Sequence, residues 1–148
     1  MLLSWALTGN DCITSLDLSS NRIGPKGVAF LCDALQRNAS LRALRIANNR
    51  VLADGASLVA SLLHINGTLC DIDLARNHLA VSEDGTTFDG ITELCKAVYS
   101  NESVTSLNLA SNALAITNGK PKSSRALSRY AFMPYVMCLI AAGDGSGR

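Results

Sequence analysis

The side chains able to do chemistry in this chain are few, and their spacing does not assemble them. His64 and His78 stand apart, with no Cys, Asp or Glu set at metal-ligand or nucleophile spacing around either. The five cysteines, Cys12, Cys32, Cys70, Cys95 and Cys138, contain no C-x-x-C pair, so neither a zinc ribbon nor a full disulfide framework is suggested. Reduced thiols fit best. Asp71 and Asp73 fall on one face of a short strand but lack a second ligand set. Gly119-Lys120 is followed by Pro121 where a phosphate loop needs Ser or Thr. The basic stretch Lys120, Lys122, Arg125 and Arg129 reads as a solvated linker. Three Asn-x-Ser/Thr triplets begin at Asn38, Asn66 and Asn101, and Asn10 holds the same slot without the hydroxyl residue. The repetition therefore follows the Asn, expected in the left-handed conformation of a helix exit, and not a glycan acceptor. No catalytic residue, cofactor or metal is expected, and the chain reads as non-enzymatic.

The elements that carry these residues are set by composition and period. At 148 residues the length suits one domain with its own core. With 48% hydrophobic and 17% charged residues the chain is too apolar for disorder, and no apolar run reaches the ~18 residues of a membrane span. Lys+Arg 13 against Asp+Glu 12 leaves no global field that recommends nucleic acid or an anionic membrane as partner. Met1 to Leu7 is apolar but lacks a basic n-region, so a cytoplasmic or nuclear location is expected.

One segment recurs four times. Ile13-Thr-Ser-Leu16-Asp-Leu18-Ser-Ser-Asn21-Arg-Ile23 is matched from Leu41 to Val51, from Leu69 to Leu79 and from Val104 to Leu114, with the Asn at 21, 49, 77 and 112. Alternation turns Leu16/Leu18, Leu44/Ile46, Ile72/Leu74 and Leu107/Leu109 inward from a short strand, and the Asn side chain can satisfy backbone groups that would otherwise be buried and unpaired. A helical stripe follows each strand: Val28/Leu31/Cys32/Leu35, Ala56/Val59/Ala60/Leu63 and Ile91/Leu94/Cys95/Val98, preceded by Gly27, Gly55 and Gly90. Cys32 and Cys95 share a slot with Ala60, which makes them small packing residues.

The pattern L-x-x-L-x-L-x-x-N-x-L resembles the leucine-rich repeat, and a period of about 28 residues with a helical second half is similar to the ribonuclease-inhibitor-like subfamily. The resemblance implies an α/β fold: a short right-handed horseshoe segment of solenoid, parallel sheet inside and helices outside, that binds protein partners. It places the array at 1–114, with a partial repeat at 1–12 and repeats starting at 13, 41, 69 and 104. Residues 115–148 are expected to be a divergent linker and a possible capping segment, with Val136, Leu139 and Ala141 inward on a degenerate fifth strand and Asp144 at the Asn position. Leu3 and Leu7 fall on the slots of Leu31 and Leu35, so Met1 begins inside a repeat and a fragment is expected. Trp5 is left either on the convex surface or over the open edge.

Binding is expected on the concave face. The row between the inward positions is Asp17, Arg45, Asp73 and Asn108, on rungs about 4.8 Å apart, and an Arg between two Asp predicts lateral ion pairs. Arg76 adds a charge near the strand ends. The third repeat is seven residues longer than its neighbours, and the 80–89 loop with Glu83 and Asp84 is a second candidate contact. The function this implies is non-catalytic protein recognition, with no small-molecule substrate. The alternative is a regulator of a small GTPase, similar to Ran GTPase-activating proteins, using Arg45 or Arg76.

Overall fold

The computed structural model describes residues 2–82 and 85–112. Glu83, Asp84, the linker and the expected fifth strand lie outside the described residues.

Each repeat is a strand, a turn and a helix. The order is α1 (Leu2–Thr8), β1 (Ser15–Asp17), α2 (Pro25–Leu35), β2 (Ala43–Arg45), α3 (Leu52–Leu63), β3 (Asp71–Asp73), a hairpin of β4 (Val81–Ser82) and β5 (Gly85–Thr86), α4 (Asp89–Ser100) and β6 (Ser106–Asn108). The strands form one parallel sheet in the order β1-β2-β3-β6. Its register places Leu16, Leu44, Ile72 and Leu107 side by side, which is the alignment the repeated segment predicts. A one-residue slip would turn every inward side chain to solvent.

The core lies between sheet and helices. Leu44, Ile46, Ile72, Leu74, Leu107 and Leu109 are buried from the sheet side, and the helical stripes meet them with all members buried except Val98, which is partly covered. A buried Leu or Ile stabilises by roughly 1.5–3 kcal/mol, so the repeated apolar positions outweigh any single polar contact. Leu16 and Leu18 are only partly buried because β1 is an edge strand of the sheet. Leu7 is buried as its slot requires, whereas Leu3 is half exposed. Trp5 is 81% exposed, so it covers little of that edge.

Gly27 and Gly55 sit inside the first turns of α2 and α3, and Gly90 inside that of α4, not ahead of the helices. Close approach explains them. A Cβ on Gly27 would meet Ile23 Cγ2 at 2.8 Å, and one on Gly55 would meet Val51 Cγ1 at 2.6 Å. On Gly90 it would run into the backbone carbonyl of Ala53 in the neighbouring helix.

Polar groups inside the stack are held by two columns of Asn. In the strand-exit column, the Asn49 amide donates to the carbonyls of Leu18, Ile46 and Ala47, and its Oδ1 accepts from the backbone N–H of Asn21 (3.0 Å) and Ile23 (2.7 Å). Asn77 and Asn112 repeat this, each reaching a carbonyl of the preceding coil, Ile46 and Leu74. In the helix-exit column, Asn38 Nδ2 donates to the carbonyls of Leu7 and Asn10, Asn66 Nδ2 to that of Leu35, and Asn101 Nδ2 to those of Leu63 and Asn66. Their Oδ1 atoms accept from the backbone N–H groups two and three residues on. These helix-exit residues do not adopt the expected left-handed conformation: Asn101 is extended at φ −89, and none of the column has positive φ. The Asn is required for its amide, which clamps two coils at once, and not for its tolerance of positive φ.

Candidate functional site

The outward face of the sheet carries Ser15, Asp17 and Ser19, then Ala43, Arg45 and Ala47, then Asp71, Asp73 and Ala75, then Ser106, Asn108 and Ala110. Short side chains dominate it, so Arg45 stands over the strip. Its guanidinium pairs with Asp71 at 3.1 Å, both side chains being about two-fifths exposed, and approaches Ser15 Oγ at 3.4 Å.

The lateral pairs expected of Arg45 with Asp17 and Asp73 do not form. Asp17 Oδ1 accepts from the backbone N–H of Ser19, Asp73 Oδ1 from Ala75 and Asn108 Oδ1 from Ala110, at 2.9, 2.9 and 3.1 Å. Each acid or amide turns back onto its own chain and ends its strand, a local bond that Asp and Asn favour. Arg45 takes the diagonal Asp71 instead, whose carboxylate is not drawn into such a turn. The hydrogen bonds from Ser19 hold the Asp17 carboxyl below its ordinary range, with Arg45 a minor contributor.

Arg76 projects from the end of β3 in the left-handed conformation, at φ 56, and is exposed. Ser20, Asn48 and Ser111 occupy its slot in the other coils and share that conformation at φ 63, 52 and 57. Sequence reasoning missed this column, since Asn48 alone is a residue type that signals it. The inserted segment forms the β4–β5 hairpin, with Val81 opposite Thr86. Glu83 and Asp84, the expected contacts of that loop, lie outside the described residues.

The remaining reactive groups are structural or solvated. Burial pushes the Cys32 thiol up to about 12, with Asp33 adding to the rise, and burial also raises that of Cys95. Cys12 is exposed and hydrogen-bonds Asp11, which raises its thiol. Cys12, Cys32, Cys70 and Cys95 are free thiols. His64 and His78 are exposed, and among the described residues no group of three His, Cys, Asp or Glu is placed to hold a metal. At the helix-exit edge an open hollow of about 470 Å³ is lined by residues including Asp11, Arg37, Ser40 and Arg42, a mixture of signs. No described helix is long and apolar enough to cross a membrane.

A family model described as Leucine Rich repeat matches residues 9–32, the segment containing β1 and most of α2. No curated protein matches the sequence. Among solved structures, leiomodin-1 Actin-Binding Site 2 (ABS2) superposes with a TM-score of 0.70 at 20% identity, covering 87% of this chain and 68% of that one. The Caenorhabditis elegans tropomodulin C-terminal domain superposes with a TM-score of 0.63 at 11% identity, covering 87% of this chain and 89% of that one. Identities this low speak to fold alone. With the strands in register, the Asn columns stacked and the repeat model matched over one coil, the chain has the α/β leucine-rich repeat fold.

Proposed function

We propose that the array is a non-catalytic protein-recognition module that receives its partner on the outward face of the sheet. The observation that carries this is the strip itself: small side chains across four strands, with an exposed Arg45–Asp71 pair at its centre. A partner element can approach the backbone closely there, and the pair supplies a donor fork and an acceptor that fix its orientation. Packed helices need about 8–10 Å of lateral room and strands about 4.8 Å, which favours the sheet on the inner arc and makes the strip a concave seat. Arg76, at the end of β3, extends the seat. The helical half of each period supports placement in the ribonuclease-inhibitor-like subfamily.

The leiomodin-1 domain is an actin-binding site, which makes actin the first partner to test. Co-sedimentation with actin, and affinity capture with the chain as bait, are run on the wild type, on a sheet-face variant (Arg45→Glu with Ala47→Arg) and on a helix-face variant (Lys96→Glu). The reading expects a partner bound by the wild type and the helix-face variant and lost by the sheet-face variant. Retention by the sheet-face variant, or loss only on the helix face, overturns it. No observation favours the GTPase-activating alternative, and Arg45, one of its two candidate groups, is already engaged by Asp71.

A further inference from the structure

The helix-exit column holds four asparagines, and the residue after each differs: Asp11 follows Asn10, Ala39 follows Asn38, Gly67 follows Asn66 and Glu102 follows Asn101. Among the described residues no other Asn precedes a glycine. The distinction is chemical. A backbone nitrogen can attack the side-chain amide carbon of the Asn before it, and that of glycine does so with least hindrance because no Cβ crowds the approach.

The fold does not require a glycine at 67. The position is exposed, an added Cβ would meet nothing within 4 Å, and its φ lies outside the left-handed region. Asn66, in contrast, is only 6% exposed and its amide is engaged at both ends. Nδ2 donates to the carbonyl of Leu35 at 2.8 Å and lies 3.5 Å from that of Asn38. Oδ1 accepts from the backbone N–H of Thr68 and Leu69, both at 2.9 Å, and from Thr68 Oγ1 at 3.2 Å. Leu35 and Asn38 lie at the exit of α2, one coil earlier. With its nitrogen tied to that coil and its carbon shielded from water, the amide is unreactive while the two coils stay stacked.

We propose that Asn66–Gly67 is a site of spontaneous deamidation gated by the stacking of these two coils, with water as the co-reactant. When the coils part, the Gly67 nitrogen forms a bond to Asn66 Cγ, the Cγ–Nδ2 bond breaks, and ammonia leaves with the proton given up by the Gly67 N–H. Water then opens the cyclic imide at either carbonyl, leaving aspartate or isoaspartate. Neither product restores the clasp. An aspartate turns a carboxylate toward the Leu35 carbonyl where Nδ2 donated, and an isoaspartate routes the backbone through the former side chain, withdrawing the acceptor from Thr68 and Leu69. One opening caught by the chemistry becomes a lasting break between adjacent coils, whatever the sheet face binds.

The test incubates the whole chain at mildly alkaline pH and follows each site by trypsin digestion and mass spectrometry. Cleavage after Arg50 and Arg76 isolates a peptide in which Asn66 is the sole Asn or Gln, and cleavage after Arg37 and Arg42 isolates Asn38 likewise. Conversion of Asn66 is expected to run at least about tenfold slower in the native chain than in urea that unfolds it, because modification through an open state follows that state's population. Asn49→Ala removes the strand-exit clasp between the same two coils and should speed conversion of Asn66 without urea. In unfolding urea, Gly67→Ala should slow conversion by about tenfold, and Asn38, which precedes alanine, should lag by a similar factor. Asn66→Asp, made directly, should lower the urea midpoint of the chain. Equal rates for Asn66 in native and unfolded chains, or no response to Asn49→Ala, would overturn the gate. Equal rates for Asn66 and Asn38 in urea would remove the site, and a wild-type midpoint for Asn66→Asp would overturn the break between coils.

Discussion

Replacing Asn49 by Ala is the sharpest test of what holds the coils together. Five hydrogen bonds end on this side chain. The three carbonyls it serves each keep another partner: Leu18 with Asn21 Nδ2, Ile46 with Asn77 Nδ2 and Ala47 with the N–H of Ser20. Their loss costs about 0.5 kcal/mol apiece. The N–H groups of Asn21 and Ile23 lose the Asn49 oxygen, and at about 1 kcal/mol each, relieved in part by water at the edge coil, the sum is about 3 kcal/mol. Asn21 occupies the same slot but is exposed, and its amide serves only the carbonyls of Leu18 and Ser19 within its own coil. Asn21→Ala is therefore expected to cost about 1 kcal/mol or less. Urea unfolding followed by far-ultraviolet circular dichroism measures both. With a denaturant slope of about 2 kcal/mol per molar, the Asn49→Ala midpoint falls by roughly 1.5 M and the Asn21→Ala midpoint by about 0.5 M. Asn49→Asp keeps the acceptor and the shape but turns a carboxylate toward three carbonyls, so at neutral pH it is expected to be at least as damaging as Ala. Equal midpoints for the Asn21 and Asn49 variants, or a benign Asn49→Asp, would refute the account of the Asn as a two-coil clamp.

Three further outcomes follow from contacts already described. Gly90→Ala drives a Cβ into the backbone of Ala53 and is expected to lower the melting temperature most, by an overpacking cost of about 2–3 kcal/mol, whereas Gly67→Ala meets nothing and stays near the wild type; a reversed order in thermal melts would contradict the packing. Under native conditions a thiol reagent should modify Cys12 quickly and Cys32 and Cys95 only as the chain unfolds, read by mass spectrometry at successive times. Because the folded Cys32 thiol is raised from 9.0 to about 12, its contribution to stability is complete below pH about 9 and lost as pH climbs toward about 12. Urea midpoints over that window should fall less in Cys32→Ala than in the wild type. Asp71→Ala removes an exposed ion pair and is expected to shift stability by under about 1 kcal/mol, so a large loss on urea unfolding would mean that the pair braces the sheet.

Most of the fold is legible in the sequence because each rule is repeated. One Leu-x-Leu could belong to any strand, but Leu16, Leu44, Ile72 and Leu107 at matching positions fix strand, register and inward face together. The first Asn column was readable for the same reason. The second was readable in position but not in purpose, since a helix-exit Asn answers equally to positive φ and to an amide bridge, and the bridge to Leu7 or Leu35 comes from a coil about 30 residues away. The candidate strip shows the limit more clearly. Its residues face outward as their alternation requires, yet Asp73 spends its carboxylate on Ala75 two residues along, and Arg45 is left to find Asp71 on the diagonal. Competition between a bond to the chain itself and a bond to the next strand is settled by local geometry that a row of letters does not contain.

Both Asn columns reach in one direction, each side chain grasping the coil before its own. Asn38 and Asn49 secure backbone groups of the first coil, whose own Asn10 and Asn21 bond only within it. Fraying should for that reason be lopsided. Peeling away a later coil strips its predecessor of partners for its amides and carbonyls, while peeling an earlier one leaves the survivor's own turns intact. Hydrogen exchange in shortened versions of the chain should register this as a ratchet, with protection in each turn answering to the neighbour that follows.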